Sequence, residues 1–288
     1  MHKMEESKKT RMVPVPSNSI IPERDLGKTP VIECSHLGID FGGLRAVDDF
    51  NFTVGATEIA GLIGPNGAGK TTIFNLLTKV YTPTRGTFLL NGIDTSGKNT
   101  VQINKMGVAR TFQNIRLFSD LSVEDNVKIG LHNACKYSAL TGILRLPGYW
   151  KKEKEAHDRA MELLSIFDME KTAGWKAGSL PYGAQRRLEI VRALATQPKI
   201  LLLDEPAAGM NPSETAELMD NIRYIRDEFK IAIMLIEHDM NLVMNVCEGI
   251  AVLNFGKIIA KGTPDEIKNN EAVIEAYIGR KKEKRDDS

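Results

Sequence analysis

Apolar and polar positions along the chain change period several times, and each change marks an element. Val31–Phe41 and Ala46–Val54 alternate, as half-buried strands do. Glu58–Ile63 is a short apolar run that ends in glycine and reads as a strand. Ile73, Leu76, Leu77 and Val80 then fall at i, i+3, i+4 and i+7, one apolar face of a helix over Thr71–Val80. Thr84–Leu90 and Gly107–Thr111 read as further strands. From about Leu117 to Ser179 the pattern turns mostly helical, with Ala156, Ala160, Leu163, Leu164 and Phe167 on one face. Leu140–Trp150, which holds Pro147 and Gly148, reads as a loop or a broken helix.

The alternation of strand and helix then resumes. A helix is expected over about Gln185–Thr196, then an apolar strand at Ile200–Leu203. Leu218, Ile222, Ile225 and Phe229 share a helix face, and Ile231–Ile236 is a second apolar strand. Strands near Ile250–Leu253 and Lys257–Lys261 and short C-terminal helices complete the series. Short continuous apolar strands between amphipathic helices indicate a parallel sheet covered on both faces, an α/β fold.

Composition narrows the picture further. The 288 residues fit one α/β core with an inserted subdomain better than two full domains. Residues 1–28 are rich in Lys, Glu, Pro and Ser without periodicity and are expected to be a mobile leader. Residues 281–288 form a mixed-charge tail. A net charge of +1 gives no support to a nucleic-acid surface, and none is expected as a partner. No apolar stretch approaches the roughly 20 residues of a membrane-spanning helix, and no apolar N-terminal segment suggests secretion. Cys34, Cys135 and Cys247 are far apart, which argues against a disulfide framework or a zinc site.

Chemistry concentrates in two places. Gly64-Pro65-Asn66-Gly67-Ala68-Gly69-Lys70-Thr71-Thr72 fits G-x-x-x-x-G-K-[ST] and lies between an expected strand and an expected helix. Glycines there let backbone N–H groups turn toward a polyphosphate, and the helix N-terminus favours the same charge. Lys70 adds a full positive charge, and Thr71 offers a hard oxygen to Mg²⁺. Further on, Ile200-Leu-Leu-Leu-Asp204-Glu205 places two carboxylates at the C-terminal end of an apolar strand, where open α/β sheets hold ligands. Asp204 suits Mg²⁺, and Glu205 suits polarising an attacking water.

With these residues in place, the order of motifs resembles the ABC transporter ATPase family over about residues 31–280. Gln113, in Ala-Arg-Thr-Phe-Gln, matches the family's glutamine loop. Leu180-Pro-Tyr-Gly183-Ala-Gln185 stands at the signature motif, Ala208-Gly-Met-Asn211 at the D-loop, and Ile236-Glu-His238-Asp at the switch histidine. Phe41 lies where the family places an aromatic that stacks on adenine. The resemblance implies a P-loop NTPase (RecA-like) core with an antiparallel β subdomain, a single domain over residues 29–280, and an α-helical subdomain inserted at about 117–184. It implies ATP and Mg²⁺ as ligands. Glu205, His238 and Gln113 would be catalytic; Thr71, Gln113 and Asp204 would serve the metal. Gly183 would face the nucleotide of a second cassette. The pattern departs from the family at Pro181, Ala184 and Asn211, which stand for serine, glutamine or glutamate, and aspartate.

The wording of these motifs looks like the larger ATPase subunit of bacterial branched-chain amino acid importers. That implies work at the cytoplasmic face of the cell membrane with integral-membrane permease subunits. It also implies a second ATPase subunit (a heterodimer, with a homodimer as the alternative) and an extracytoplasmic substrate-binding protein. Relatives of similar wording serve urea, other amides or lipopolysaccharide. A non-transport ABC ATPase is the competing class.

Overall fold

The computed structural model describes residues 30–131 and 147–278. The expected leader and tail lie outside these residues, as do Cys135 and the first part of the Leu140–Trp150 stretch. Pro147–Trp150 form the first turn of a helix, where proline's missing N–H is not needed.

Among the described residues, the strands form two sheets. Strands β1 (Ile32–Phe41), β2 (Leu44–Val54), β4 (Arg85–Leu90) and β5 (Ile93–Asp94) form an antiparallel sheet in the order β2-β1-β4-β5. The second sheet has six strands. Its members are β3 (Ile59–Ile63), β6 (Val108–Arg110), β7 (Ile200–Asp204), β8 (Ala232–Ile236), β9 (Gly249–Asn254) and β10 (Lys257–Gly262). Their order is β10-β9-β3-β8-β7-β6, with β3, β6, β7, β8 and β9 parallel and β10 antiparallel at one edge.

Nine helices are described. They are α1 (Lys70–Leu77), α2 (Thr100–Met106), α3 (Val123–Leu131), α4 (Pro147–Ser165), α5 (Tyr182–Leu194), α6 (Pro212–Phe229), α7 (Met240–Val246), α8 (Pro264–Lys268) and α9 (Glu271–Ile278). None is long and apolar enough to cross a membrane. Helices α3 and α4, with short 3-10 turns at Glu170–Thr172 and Ala177–Ser179, lie in the described part of the segment expected to be the helical insertion.

The apolar strand runs divide between two cores. Ala60, Leu62, Ile200, Leu202, Ala232, Met234 and Ile236 point to one face. There they meet Ile73, Phe74, Leu76 and Leu77 of α1 and the phenylalanines of the antiparallel sheet. Ile59, Ile63, Leu201, Leu203, Ile233 and Leu235 point to the other face and meet α3 to α7. Because both faces are buried, these strands need apolar residues at every position, which explains their unbroken runs. The parallel arrangement brings the C-terminal ends of β3, β7 and β8 to one edge of the sheet, and the functional motifs follow those ends.

Candidate functional site

The turn after β3 passes close to its neighbour. Gly64 has φ 151°, and a β-carbon there would lie 2.0 Å from Leu253 O, so no other residue fits. Gly69, at φ 104°, is the N-cap of α1 and makes no side-chain cap. The helix therefore opens with its first N–H groups uncapped by any side chain at that position. Lys70 is buried to 8% exposure and donates through Nζ to Gly64 O (2.6 Å) and Pro65 O (3.0 Å). Burial lowers its pKa from the ordinary lysine range, and the nearby Glu205 and Asp204 carboxylates oppose that shift.

A cavity of about 670 Å³ opens over this turn. It is lined by Asn66 to Thr72, Gln113, Glu205, Leu44 to Ala46 and Phe255–Gly256. Glu205 follows the end of β7 with φ 49°, an uncommon conformation for a residue with a β-carbon. Its N–H donates to Ile236 O at 2.9 Å, so β8 braces the turn. One carboxylate oxygen accepts from Gln113 Nε2 at 3.1 Å, and the other lies 3.5 Å from His238 Nδ1. The three residues expected to be catalytic are thus brought together.

Asp204 is held differently. It is 1% exposed, and Oδ2 accepts from Arg110 Nη2 at 2.8 Å. Arg110 also donates through Nη1 to Asn75 Oδ1 at 2.6 Å, linking β6, α1 and β7. Its guanidinium lies 5.4 Å from the Phe74 ring and 5.0 Å from the Phe112 ring. A buried carboxylate without a partner would be expensive; Arg110 supplies the opposite charge and fixes one oxygen.

Other expected residues lie outside the cavity lining. Phe41 packs edge-on against Tyr81, with ring centroids 5.1 Å apart, and remains 42% exposed. Gly183 is buried in the first turn of α5, beside Glu214 of α6. Pro181 is the N-cap of α5 and provides no side-chain cap. Asn211 caps α6 in a reciprocal pair with Glu214, at 3.0 and 2.9 Å, a role asparagine fills as well as aspartate.

Three residues carry functional geometry that the sequence did not single out. Arg110 is one. Glu237 is another: it is 2% exposed and accepts from Ala207 N at 2.9 Å and His238 N at 3.2 Å, joining the turn after Glu205 to the switch histidine. Burial raises its pKa. Phe255 is the third, 85% exposed on the cavity rim.

Comparison with known proteins fits this geometry. A family model described as ABC transporter matches residues 47–208, and one described as branched-chain amino acid ATP-binding cassette transporter matches residues 257–283. The high-affinity branched-chain amino acid transport ATP-binding protein LivG of Escherichia coli (strain K12) is 47% identical over 250 residues, 87% of this chain and 98% of its own. The lipopolysaccharide export system ATP-binding protein LptB of the same strain is 33% identical over 248 residues, 86% of this chain and 97% of its own. Among solved structures, the ADP conformation of MJ1267, an ATP-binding cassette of an ABC transporter, superposes with TM-score 0.76 at 27% identity. It covers 88% of this chain and 100% of that one. A nucleotide-free cassette from an ABC transporter gives 0.75 at 29% identity, covering 87% and 100%. The α/β core, the antiparallel sheet and the helical insertion are the P-loop cassette expected from the sequence, and the chain belongs to the ABC transporter family as one of its ATP-binding, ATP-hydrolysing cassettes.

Proposed function

We propose that this chain is the ATP-hydrolysing subunit of a branched-chain amino acid importer, working with Mg²⁺ at the cytoplasmic face of a membrane. One observation carries the substrate class: identity of 47% to a branched-chain amino acid transport ATP-binding protein along 87% of the chain, against 33% to the lipopolysaccharide export protein.

The geometry supports the following roles. Backbone N–H groups of residues 64–72 and the start of α1 receive the phosphates. Lys70 carries the charge, and its placement against Gly64 O and Pro65 O holds the ammonium at the neck of the loop before the phosphates arrive. The metal site is judged by its donors. The Thr71 hydroxyl, the Asp204 carboxylate and the Gln113 amide oxygen are hard oxygens, as Mg²⁺ requires. When bound, Mg²⁺ neutralises phosphate charge and orients the transferable group.

Glu205 accepts a proton from the attacking water. Its two oxygens are already oriented by Gln113 and His238, so little rearrangement is needed to aim one of them. His238, 61% exposed in its side chain, is free to donate to the γ-phosphate from the opposite side. Adenine stacks on Phe41, which Tyr81 backs.

The site is completed by a second cassette, whose signature helix presents its N-terminus to the phosphates. In this chain that helix is α5; Pro181 at its N-cap brings neither a hydroxyl nor an N–H, so the donors are the backbone N–H groups of its first turn, Tyr182 to Ala184. A second, different ATPase subunit supplies the other signature, and permease subunits span the membrane.

Capture of the complex from native membranes through this chain tests the reading. Mass spectrometry is expected to find a second ATPase and permeases, and ATPase activity is expected to rise on adding leucine-, isoleucine- or valine-loaded binding protein. Permeases without that stimulation would remove the substrate and leave the motor; their absence would point to a non-transport ATPase.

A further inference from the structure

Gln113 reaches Glu205 with its side chain, but its backbone is gripped from behind by α5. Arg186, 2% exposed, donates through Nη1 to Phe112 O at 2.5 Å and through Nη2 to Gln113 O. Nη2 also donates to Tyr182 Oη at 3.1 Å, and Nη1 lies 3.4 Å from Glu189 Oε2. Glu189, also 2% exposed, accepts from Arg116 N at 3.3 Å through its other oxygen. The guanidinium of Arg116 in turn covers the Phe112 ring at 4.2 Å. One helix therefore holds the segment 112–116 at three backbone positions, through a buried ion pair.

The chemistry of this grip is specific. Two successive carbonyls suit a planar guanidinium fork and do not suit a lysine, which is a point charge. A buried ion pair is poor evidence of stability, since apolar residues often replace one without loss. What it does provide is a joint that is hard to part. Separating Arg186 from Phe112 and Gln113 would leave a buried cation short of acceptors. When Gln113 moves, the easier course is for α5 to move with it.

The same helix starts at Pro181, the end offered to a second cassette. Tyr182 there contacts the Arg186 guanidinium, 5.5 Å from the ring centre, and its ring lies 3.0 Å from where a β-carbon on Gly209 would stand. A continuous chain of contacts thus runs from His238 and Glu205 through Gln113 and Arg186 to the first turn of α5.

We infer that Arg186 is a positioning residue that ties Gln113 to the start of α5, so that the water-orienting groups of this chain's own site and the helix end offered to the other site shift as one unit. The inference rests on the roles proposed above for Gln113 and α5. It makes each cassette a lever between the two nucleotide sites, with Arg186 at the joint.

Hydrogen–deuterium exchange of the full chain, with and without a non-hydrolysable ATP analogue and Mg²⁺, tests it. In the wild type, the analogue is expected to slow exchange in the 64–72, 110–116 and 180–187 segments. In Arg186→Met the slowing at 64–72 is expected to persist while that at 180–187 is lost. ATPase kcat is expected to fall about tenfold with KM little changed, the pattern of a lost transition-state contact. Arg186→Lys is expected to fall between. Equal slowing at 180–187 in wild type and Arg186→Met overturns the inference, as does a wild type in which 180–187 never responds. If Arg186→Met does not fold, Arg186→Lys takes its place under the same readout; failure of both to fold assigns Arg186 to folding and also overturns it. No slowing at 64–72 in the wild type would instead overturn the nucleotide-site reading itself.

Discussion

The two ends of the nucleotide cleft are built on opposite plans. At the phosphate end every charged group is paired before any ligand arrives: Lys70 on two carbonyls, Asp204 on Arg110, Glu205 between Gln113 and His238. At the end where adenine is proposed to stack, the side chains stand in solvent: Phe41, outside the cavity lining, is 42% exposed, and Leu44 and Phe255 on the lining are 72% and 85% exposed. The difference follows from what each end must do. Charge development in a transition state is best met by groups that need no reorganisation. A flat apolar base needs only surface, which the ligand itself then covers. On the proposed roles, preorganised polar groups stabilise the reaction and exposed aromatic ones stabilise binding.

Substitutions at the two ends should therefore separate rate from affinity. The largest effect is expected from Glu205→Gln, which keeps the shape and both neighbours but removes the base. ATPase kcat should fall about 10²–10⁴-fold while the Kd for a fluorescent ATP analogue stays close to that of the wild type. A parallel loss of binding would mean that Glu205 holds the loop together and does not act on water.

Lys70→Ala comes next. One charge-assisted donor to a phosphoryl group is worth about 10²–10³-fold in rate, and here binding should weaken as well, which equilibrium titration will read. At the base end, Phe41→Ala should raise the Kd for ATP about tenfold, from ~1–3 kcal/mol of stacking. Binding of tripolyphosphate, which lacks a base, should not change. If tripolyphosphate binding weakens too, Phe41 supports the loop and is not a stacking platform.

The smallest expected effect is on stability. Lys261, on β10, donates to Asn51 O at 2.6 Å, and burial brings its pKa down to about 7, with the nearby Cys34 opposing. Unlike Lys70 it is only partly buried, and Glu205 and Asp204, which oppose the shift at Lys70, have no counterpart beside it. Below pH 7 the ammonium is charged in folded and unfolded chains alike, and the burial penalty is fully present. Between that pH and the ordinary lysine range the unfolded chain holds more protons, so stability should rise with pH. Lys261→Met should flatten this slope in melting temperatures taken from about pH 6.5 to 9.5. An unchanged slope would show that Lys261 stays charged in the fold.

How much of this was legible in the sequence depends on the span of each contact. The phosphate loop and the Asp204–Glu205 pair are contiguous, and each follows an apolar strand, so local pattern found them. The parallel core was legible for the same reason: strands buried on both faces carry no polar residue to break the run. Arg110 was hidden because its partner, Asp204, is 94 positions away, and an arginine closing Val108–Arg110 reads as a strand end turning to solvent. Arg186 and Glu189 were hidden because α5 reads as an amphipathic helix, and nothing local says which charged face is buried. Helix α2 carries no apolar periodicity, since only Ile103 is buried. Its capping box, Asn99 with Gln102, was the available signal.

On the proposed function, hydrolysis at Glu205 of this chain drives branched-chain amino acid import. The most direct test is uptake of labelled leucine into proteoliposomes holding the whole captured complex, with ATP and Mg²⁺ inside and loaded binding protein outside. ATP-dependent accumulation is expected with the wild-type chain and none above the ATP-free level with Glu205→Gln. Accumulation that survives Glu205→Gln would contradict it.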